Sequence, residues 1–540
     1  MPTAEKTAEI GCAEVADVDA KRISADAARA TQAEHELTFT QAVKLYKKAI
    51  IWSMIVSLAC TMDSYDMQIV SAFYAYPSFQ KKYGELLDDG SYSVPASWQL
   101  GLSLASNFGM ILGVFTNGWL IEHMGPRKLM LCSFTALTGF IFITFFAPNI
   151  QVLLVGELLC GLPWGVFAAV APSYAVEVCP LVLRGYLSTF CNLTWPAGRI
   201  LATGVLQGLV HNPTQWSYRI PFALQWMWPV PLSIAICFAP ESPWWQVRKG
   251  RLADAEATMK RLCSSDPADV DRRSKQSIAM MAHTIQMERD LNVGTNYIDC
   301  FRGINLRRTE IASVSWGGQV LTGFAIQNYL TYFFKQAGLS TDDSFKLSLG
   351  TFSIAFLGTV FSWFFQGRFG RRSIFISGLC AMTPIMWLIA LIDFAPATSG
   401  RRWAQCCMML IWFAFYGLTI GPVPYAIATE VPATRLRMKT IAVSRNSYYI
   451  FSIVNIIVAP YLLNPSEANL HGKAAFPAAG FSSLLLLWAW FRLPETKGRT
   501  FEELDVLFER ETPARKFSAT VLEAPRPTGS AGGQALDGGK

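Results

Sequence analysis

Charge is the first thing this chain is short of. Asp, Glu, Lys and Arg make up 16% of its 540 residues, against ~25% in soluble domains. That excludes a water-exposed surface of ordinary composition. Histidine is scarcer: there are five, none well inside an apolar run, and no HExxH or CxxC pair, so no metal site is expected. The absence of GxxxxGK[ST] excludes a nucleotide-driven motor within the chain. No cofactor is expected. The net charge of +7 is not a nucleic-acid signal, because it follows from where Lys and Arg fall between apolar runs. No cleavable leader is read at the start. The 12 cysteines lack the spacing of a disulfide framework. Cys60, Cys132, Cys160, Cys191, Cys237 and Cys380 sit inside apolar runs and are expected to be small buried hydrophobes.

What the chain has in excess is apolar sequence, 52% of residues with a mean hydropathy of +0.28. It is gathered in twelve runs, roughly 50–74, 97–120, 128–148, 151–174, 186–210, 218–239, 309–334, 344–365, 373–394, 403–428, 438–461 and 474–491. Each can cross ~30 Å of hydrocarbon as a helix. The expectation is an all-α membrane protein with twelve transmembrane helices. If they alternate, Lys47, Lys48, Arg127, Lys128, Arg184, Arg248, Lys249, Arg251, Arg371, Arg372, Arg435, Arg437, Lys439, Lys497 and Arg499 fall on one side. The positive-inside rule then places both termini and the 240–305 loop in the cytoplasm.

Three phrases recur at nearly one spacing. "EVCPLVLRG" precedes the fifth run and "EVPATRLR" the eleventh; Glu177 and Glu430 are 253 residues apart, as are Arg184 and Arg437. "GPRK" follows the second run and "GRRS" the eighth, 245 residues on; "PESPWW" follows the sixth and "PETKG" the twelfth, 254 residues on. The chain therefore reads as two six-helix repeats, 43–239 and 306–492, joined by a helical cytoplasmic loop, 240–305. Flanking them are a disordered tail, 1–42, and a second tail, 493–540, largely disordered after 510. All these phrases combine carboxylates with Arg on the basic side. Glu122, Arg127, Glu177, Arg184, Glu241, Arg371, Glu430, Arg437 and Glu495 are the candidate inner gate, pairing across the repeats when it is shut.

An ionisable side chain at membrane depth is a functional candidate by default. There are five: Asp63 and Asp66 in the first run, Glu157 in the fourth, Arg199 in the fifth and Arg445 in the eleventh. At 1.5 Å per residue, Asp66 lies ~24 Å from the basic side, Glu157 and Arg199 ~20 Å, and Arg445 ~10 Å. The common level predicts a Glu157–Arg199 pair, with Asp66 exchanging a proton as its surroundings change.

Taken in order, "GWLIEHMGPRK", "GELLCGLPWG", "EVCPLVLRG", "YRIPFALQWMWP", "PESPWW", "GRFGRR", "GPVPY" and "PETKG" resemble the sugar porter family of the major facilitator superfamily, over about 45–510. "MDSYD", "AFYAYPSFQKKYG", "GELLCGLPWG" and "YFFKQAGL" resemble fungal maltose/α-glucoside permeases, which are proton symporters. The resemblance implies sugar-binding roles for Asn192, Gln319 and Tyr425, and places Tyr329 and Tyr332, with Gln327 and Asn328, at an outer gate. It also exposes departures. Glu122-His123 stands where Asp-Arg is usual, Pro126 where an Arg is usual, and Gly367 where an acid is common. Glu157 stands where many relatives carry Arg, and Met110 where fungal α-glucoside permeases carry an acid. Val320 and Ala325 replace amides, which implies a roomier pocket suited to a disaccharide. The expectation is a monomeric, non-enzymatic plasma-membrane symporter of a proton with maltose or sucrose. The alternatives are an uncoupled hexose facilitator and a non-transporting sugar sensor.

Overall fold

A computed structural model describes residues 29–520 except 35, 74–76, 87–91, 210–213, 291–295, 328–329, 331–332, 335–340, 397 and 464–469. The chain is helical almost throughout. The first half contains α1 (Phe39–Leu45), α2 (Lys47–Ser57), α3 (Cys60–Phe73), α4 (Pro77–Tyr83), α5 (Ala96–Met124), α6 (Pro126–Phe145), α7 (Ile150–Val178), α8 (Leu181–Leu209), α9 (Trp216–Leu224) and α10 (Pro229–Phe238). Then come α11 (Pro243–Arg248), α12 (Leu252–Leu262) and α13 (Pro267–Asp290). The second half contains α14 (Gly303–Leu321), α15 (Thr341–Arg368), α16 (Arg371–Ile392), α17 (Ser399–Leu418), α18 (Val423–Glu430), α19 (Arg437–Leu463), α20 (Ala475–Arg492) and α21 (Phe501–Glu509). The described strands are β1 (Glu85–Leu86) and β2 (Tyr92–Ser93), an antiparallel ribbon.

Nine helices among the described residues are long and apolar enough to cross a membrane, or ten with a pair bent by 83° at α1–α2. The helices over the fifth and seventh runs, α8 and α14, are not among the nine. Both carry the polar groups described below. The bundle is apolar outside. On α5, Phe108, Leu112, Phe115 and Trp119 are exposed along one stripe; on α20, Leu484, Leu487, Trp490 and Phe491 are. Inside, Asp63, Asp66, Glu157, Asn192, Gln319 and Arg445 are buried. That inversion suits a solvent of lipid, which rewards apolar exteriors and leaves polar groups only the interior. Cys132, Cys237 and Cys380 correct the expectation of burial, since each is on the exposed face of its helix.

Helices approach closely where glycine allows it. A Cβ on Gly109 of α5 would meet the Leu158 carbonyl of α7 at 2.2 Å, and one on Gly161 the Ser106 carbonyl at 2.5 Å. Small residues four apart let two backbones touch, a packing mode independent of water. Met110 is fully buried in this seam.

Two spans read as continuous are broken. After α14 the chain turns through Thr322–Gln327, with Ala325 at φ +68°. The Asn455 side chain of α19 holds that turn by accepting the Ala325 N–H at 2.7 Å. The tenth run breaks at Thr419–Pro422, where α17 gives way to α18; Pro422 and Pro424 cannot donate to the helix.

The predicted tails are also shorter than expected. Residues 29–34 are helical and α1 follows, with Ala42 fully buried. At the other end α21 opens on a capping box, Thr500 with Glu503. Phe517 packs edge-on against Phe508 at 5.1 Å and is fully buried, which extends ordered chain past 510. One large aromatic ring is enough to anchor a segment whose composition otherwise reads as loop.

Candidate functional site

Where α8, α14, α15, α17, α18 and α19 converge they line a cavity that combines amides, aromatic faces and two guanidinium groups. Asn192, Trp195 and Arg199 face it from α8, and Gln319 with Gln327 from α14 and the turn beyond it. Phe352, Ala355 and Thr359 come from α15, Phe413, Tyr416 and Gly417 from α17, Tyr425 from α18, and Arg445 with Tyr448 from α19. The broken spans explain much of this wall. The Gln319 amide Nε2 donates to the Gly421 carbonyl at 2.5 Å, a carbonyl in the α17–α18 break. Among the described residues its Oε1 takes no hydrogen bond, which leaves an acceptor for a ligand hydroxyl. Asn192 Nδ2 reaches Thr359 Oγ1 at 3.3 Å, from one half of the chain to the other. Trp412 stacks on Tyr416 at 5.2 Å, and Trp316 meets Tyr425 edge-on at 5.5 Å.

So Asn192, Gln319, Tyr425 and Arg445 come together, although rise along the helix alone puts Arg445 nearer the basic end. Tyr329 and Tyr332 lie outside the described residues, as does Asn328. Trp195, Thr359, Tyr416 and Tyr448 were missed. In sequence they are indistinguishable from the aromatic and Thr residues that pack other helices; only convergence of the helices singles them out.

The buried charges form two groups, and the predicted Glu157–Arg199 pair is not one of them. Asp66 and Glu157 meet carboxyl to carboxyl within hydrogen-bond reach, and the Gln225 amide donates to Asp66 Oδ1. Asp63 instead faces Arg445 and Arg199. Arg199 lies over Trp195 at 5.0 Å and Phe352 at 5.4 Å. Arg445 lies over Tyr448 at 4.5 Å and Tyr449 at 4.9 Å, and its Nε bonds Tyr449 Oη at 3.2 Å. Depth along separate helices said nothing about azimuth, and azimuth turned Glu157 toward α3.

The repeated phrases have a local purpose. Glu241 accepts the Arg127 N–H at 3.1 Å, and Glu495 accepts the Arg371 N–H at 2.7 Å. Each carboxylate sits on the N-terminus of a helix, α6 and α16, where free N–H groups and the dipole favour an anion. Gly125 and Gly370 precede those helices, and a Cβ on either would press on the capping carboxylate. Next in each phrase, Ser242 donates to Glu177 and Thr496 donates to Glu430 at 2.7 Å. The Arg127 side chain donates to the Cys237 carbonyl, and Arg372 to that of Trp490 at 2.8 Å.

The ion pairs only partly cross between halves. Glu177 faces Arg437 at 3.6 Å, and Glu122 pairs with Lys439. Glu122 thus has a partner despite its unusual "EH" context. Arg371 pairs with Glu430 at 2.9 Å within the C-terminal helices, and Arg184 with Glu34 at 3.5 Å, which corrects the expected crosswise pairing of both. Arg184 and Arg437 also converge on the Phe501 ring, at 4.1 and 3.8 Å. Glu288 of α13 binds the Thr434–Arg435 loop, accepting Thr434 Oγ1 at 2.6 Å and the Arg435 N–H at 3.0 Å. Burial and the nearby Asp505 carboxylate push Glu288 up to about 7.

Residues 52–508 match the family model for the sugar (and other) transporter. The chain is 38% identical over 501 residues to the general alpha-glucoside permease of Saccharomyces cerevisiae, covering 92% of this chain and 81% of the relative. It is 38% identical over 502 residues to the maltose permease MAL31 of the same yeast, covering 92% and 82%. Among solved structures, the proton:xylose symporter XylE bound to 6-bromo-6-deoxy-D-glucose superposes with a TM-score of 0.75 at 19% identity, over 86% of this chain and 100% of that one. The inward-open conformation of the E. coli xylose transporter gives 0.61 at 18% identity, over 84% and 98%. With over four-fifths of its length matched, this multi-pass membrane protein belongs to the sugar (and other) transporter family.

Proposed function

We propose that the chain imports an α-glucoside disaccharide of the maltose or sucrose type together with a proton, by alternating access. The observation that carries this reading is the cavity between the two halves of the chain, which combines amides with aromatic faces. Sugars need that combination, hydrogen-bonding groups for the hydroxyls and flat apolar faces for the ring. The yeast relatives, named as α-glucoside and maltose permeases, favour the same substrate class.

In this reading twelve spans form two six-helix repeats, 43–239 and 306–492. The 240–305 helices and both termini lie in the cytoplasm of a fungal plasma-membrane monomer. Asn192, Gln319 and Tyr425 bind sugar, with Tyr329 and Tyr332 at its outer side. Asp66 carries the proton with Glu157 against it, and Asp63, Arg199 and Arg445 link proton and sugar sites. The Glu177–Arg437 and Glu122–Lys439 pairs hold the inner gate shut, and Glu241, Glu495 and Arg371–Glu430 brace each half.

The test is radiolabelled uptake in a yeast strain lacking its own sugar carriers, with external pH recorded on sugar addition. Maltose or sucrose uptake with alkalinisation is expected. Hexose uptake without a pH change would replace the reading with an uncoupled facilitator; binding without uptake would replace it with a sensor.

A further inference from the structure

The wall of the cavity carries two guanidinium groups, Arg199 and Arg445, and no carboxylate. The carboxylate that acts on both is Asp63, which is not among the residues lining the cavity. Neither arginine has an ion-pair partner within 4.0 Å among the described residues. Aromatic rings shelter both, but a ring face stabilises a cation without neutralising it. The Arg199 Nε has no hydrogen-bond partner among the described residues. Within the wall itself the two positive charges meet no carboxylate, at a depth where an unpaired charge is costly.

We propose that the preferred cargo of this site is an α-glucoside bearing one carboxylate, bound by Arg199 and Arg445, rather than a wholly neutral disaccharide. The proposal rests on the α-glucoside reading above and narrows its substrate. A guanidinium fork matches a carboxylate in shape and charge. A carboxylate on the cargo supplies the anionic partner that the wall itself lacks. The amides and aromatic faces remain for the glucosyl ring. The electrical consequence differs by cargo. A neutral sugar with one proton carries one positive charge across the membrane; a monoanionic sugar with one proton carries none.

The experiment uses the full chain in proteoliposomes, with maltose and maltobionate (the same glucosyl unit α-linked to gluconate) as probes. Maltobionate is expected to enter with an apparent KM at least tenfold below that of maltose. An inside-negative potassium diffusion potential should speed maltose entry and leave maltobionate entry unchanged. Arg199→Gln should shrink the KM ratio between the two sugars, and Arg199→Lys should keep most of it. Reconstituted amounts are matched by immunoblot, so a misfolded variant is not read as a specificity change. Maltose entry with no uptake of, or competition by, a hundredfold excess of maltobionate would overturn this inference and leave the α-glucoside reading standing. Entry of neither sugar would overturn both.

Discussion

The carboxyl groups of Asp66 and Glu157 lie against each other, one on α3 and one on α7, both out of contact with water. A hydrogen bond between two carboxyls requires a proton on one of them. Glu157→Gln supplies a permanent neutral donor in its place. It should preserve surface abundance and sugar exchange, and flatten the dependence of uptake on external pH. Uptake by the variant that rises with acidity as steeply as in the parent chain would remove Glu157 from the coupling group. Asp66→Asn should abolish accumulation against a gradient, read as the final ratio of internal to external sugar.

Gln319 is held in place by the Gly421 carbonyl, and its Oε1 is left for the cavity. Gln319→Ala should weaken apparent affinity by ~1–3 kcal/mol, the cost of leaving a buried polar partner unpaired. The loss should appear as a raised KM with unchanged abundance. An unaltered KM across a panel of sugars would take Gln319 out of the site.

Arg437 is fully buried, ion-paired to Glu177 and stacked on Phe501 at 3.8 Å. Breaking a buried pair from one side costs ~3–5 kcal/mol, because the other charge is stranded. Glu177→Gln should therefore favour the state in which the basic end opens. A single cysteine in place of Ser188, fully buried on α8, should become more reactive to a membrane-impermeant thiol reagent applied from the basic side. Phe501→Leu should act in the same direction but less, by up to ~2 kcal/mol for a desolvated cation–π contact. Reactivity that falls or stays constant in both variants would argue against a gate here.

Glu288, on α13 and outside the candidate membrane spans, makes stability depend on pH. Its folded-state value of about 7 lies above the ordinary 4.5 of a free Glu. The folded protein therefore holds that proton more tightly than the unfolded chain does. The contribution is complete below about 4.5 and is lost as pH rises through about 7. Detergent-solubilised protein should lose thermal stability between pH 5 and pH 7.5, and Glu288→Gln should reduce the slope. An identical slope in the variant would assign the pH dependence to other groups.

The order of apolar runs and the recurrence of the phrases were legible in the sequence because they are local or periodic, whereas the capping of α6 and α16 by Glu241 and Glu495 came only from the structure. A membrane demands long apolar helices, and that demand is written in local composition. Asn192, Gln319 and Tyr425 were reachable through resemblance. Rise along a helix located the buried charges in depth and could go no further. Whether Glu157 faces Asp66 or Arg199 depends on the rotation of α7 against α3 and α8, which packing alone decides. The break at Ala325 depends on Asn455, 130 residues away, accepting one N–H. Phe501 lies between Arg184 and Arg437 only because α21 folds back beneath both halves. The sequence by itself determined which groups must leave water and where the helices begin. Tertiary structure chose their partners, because a buried charge answers to whatever stands a few ångströms away in space, however distant along the chain.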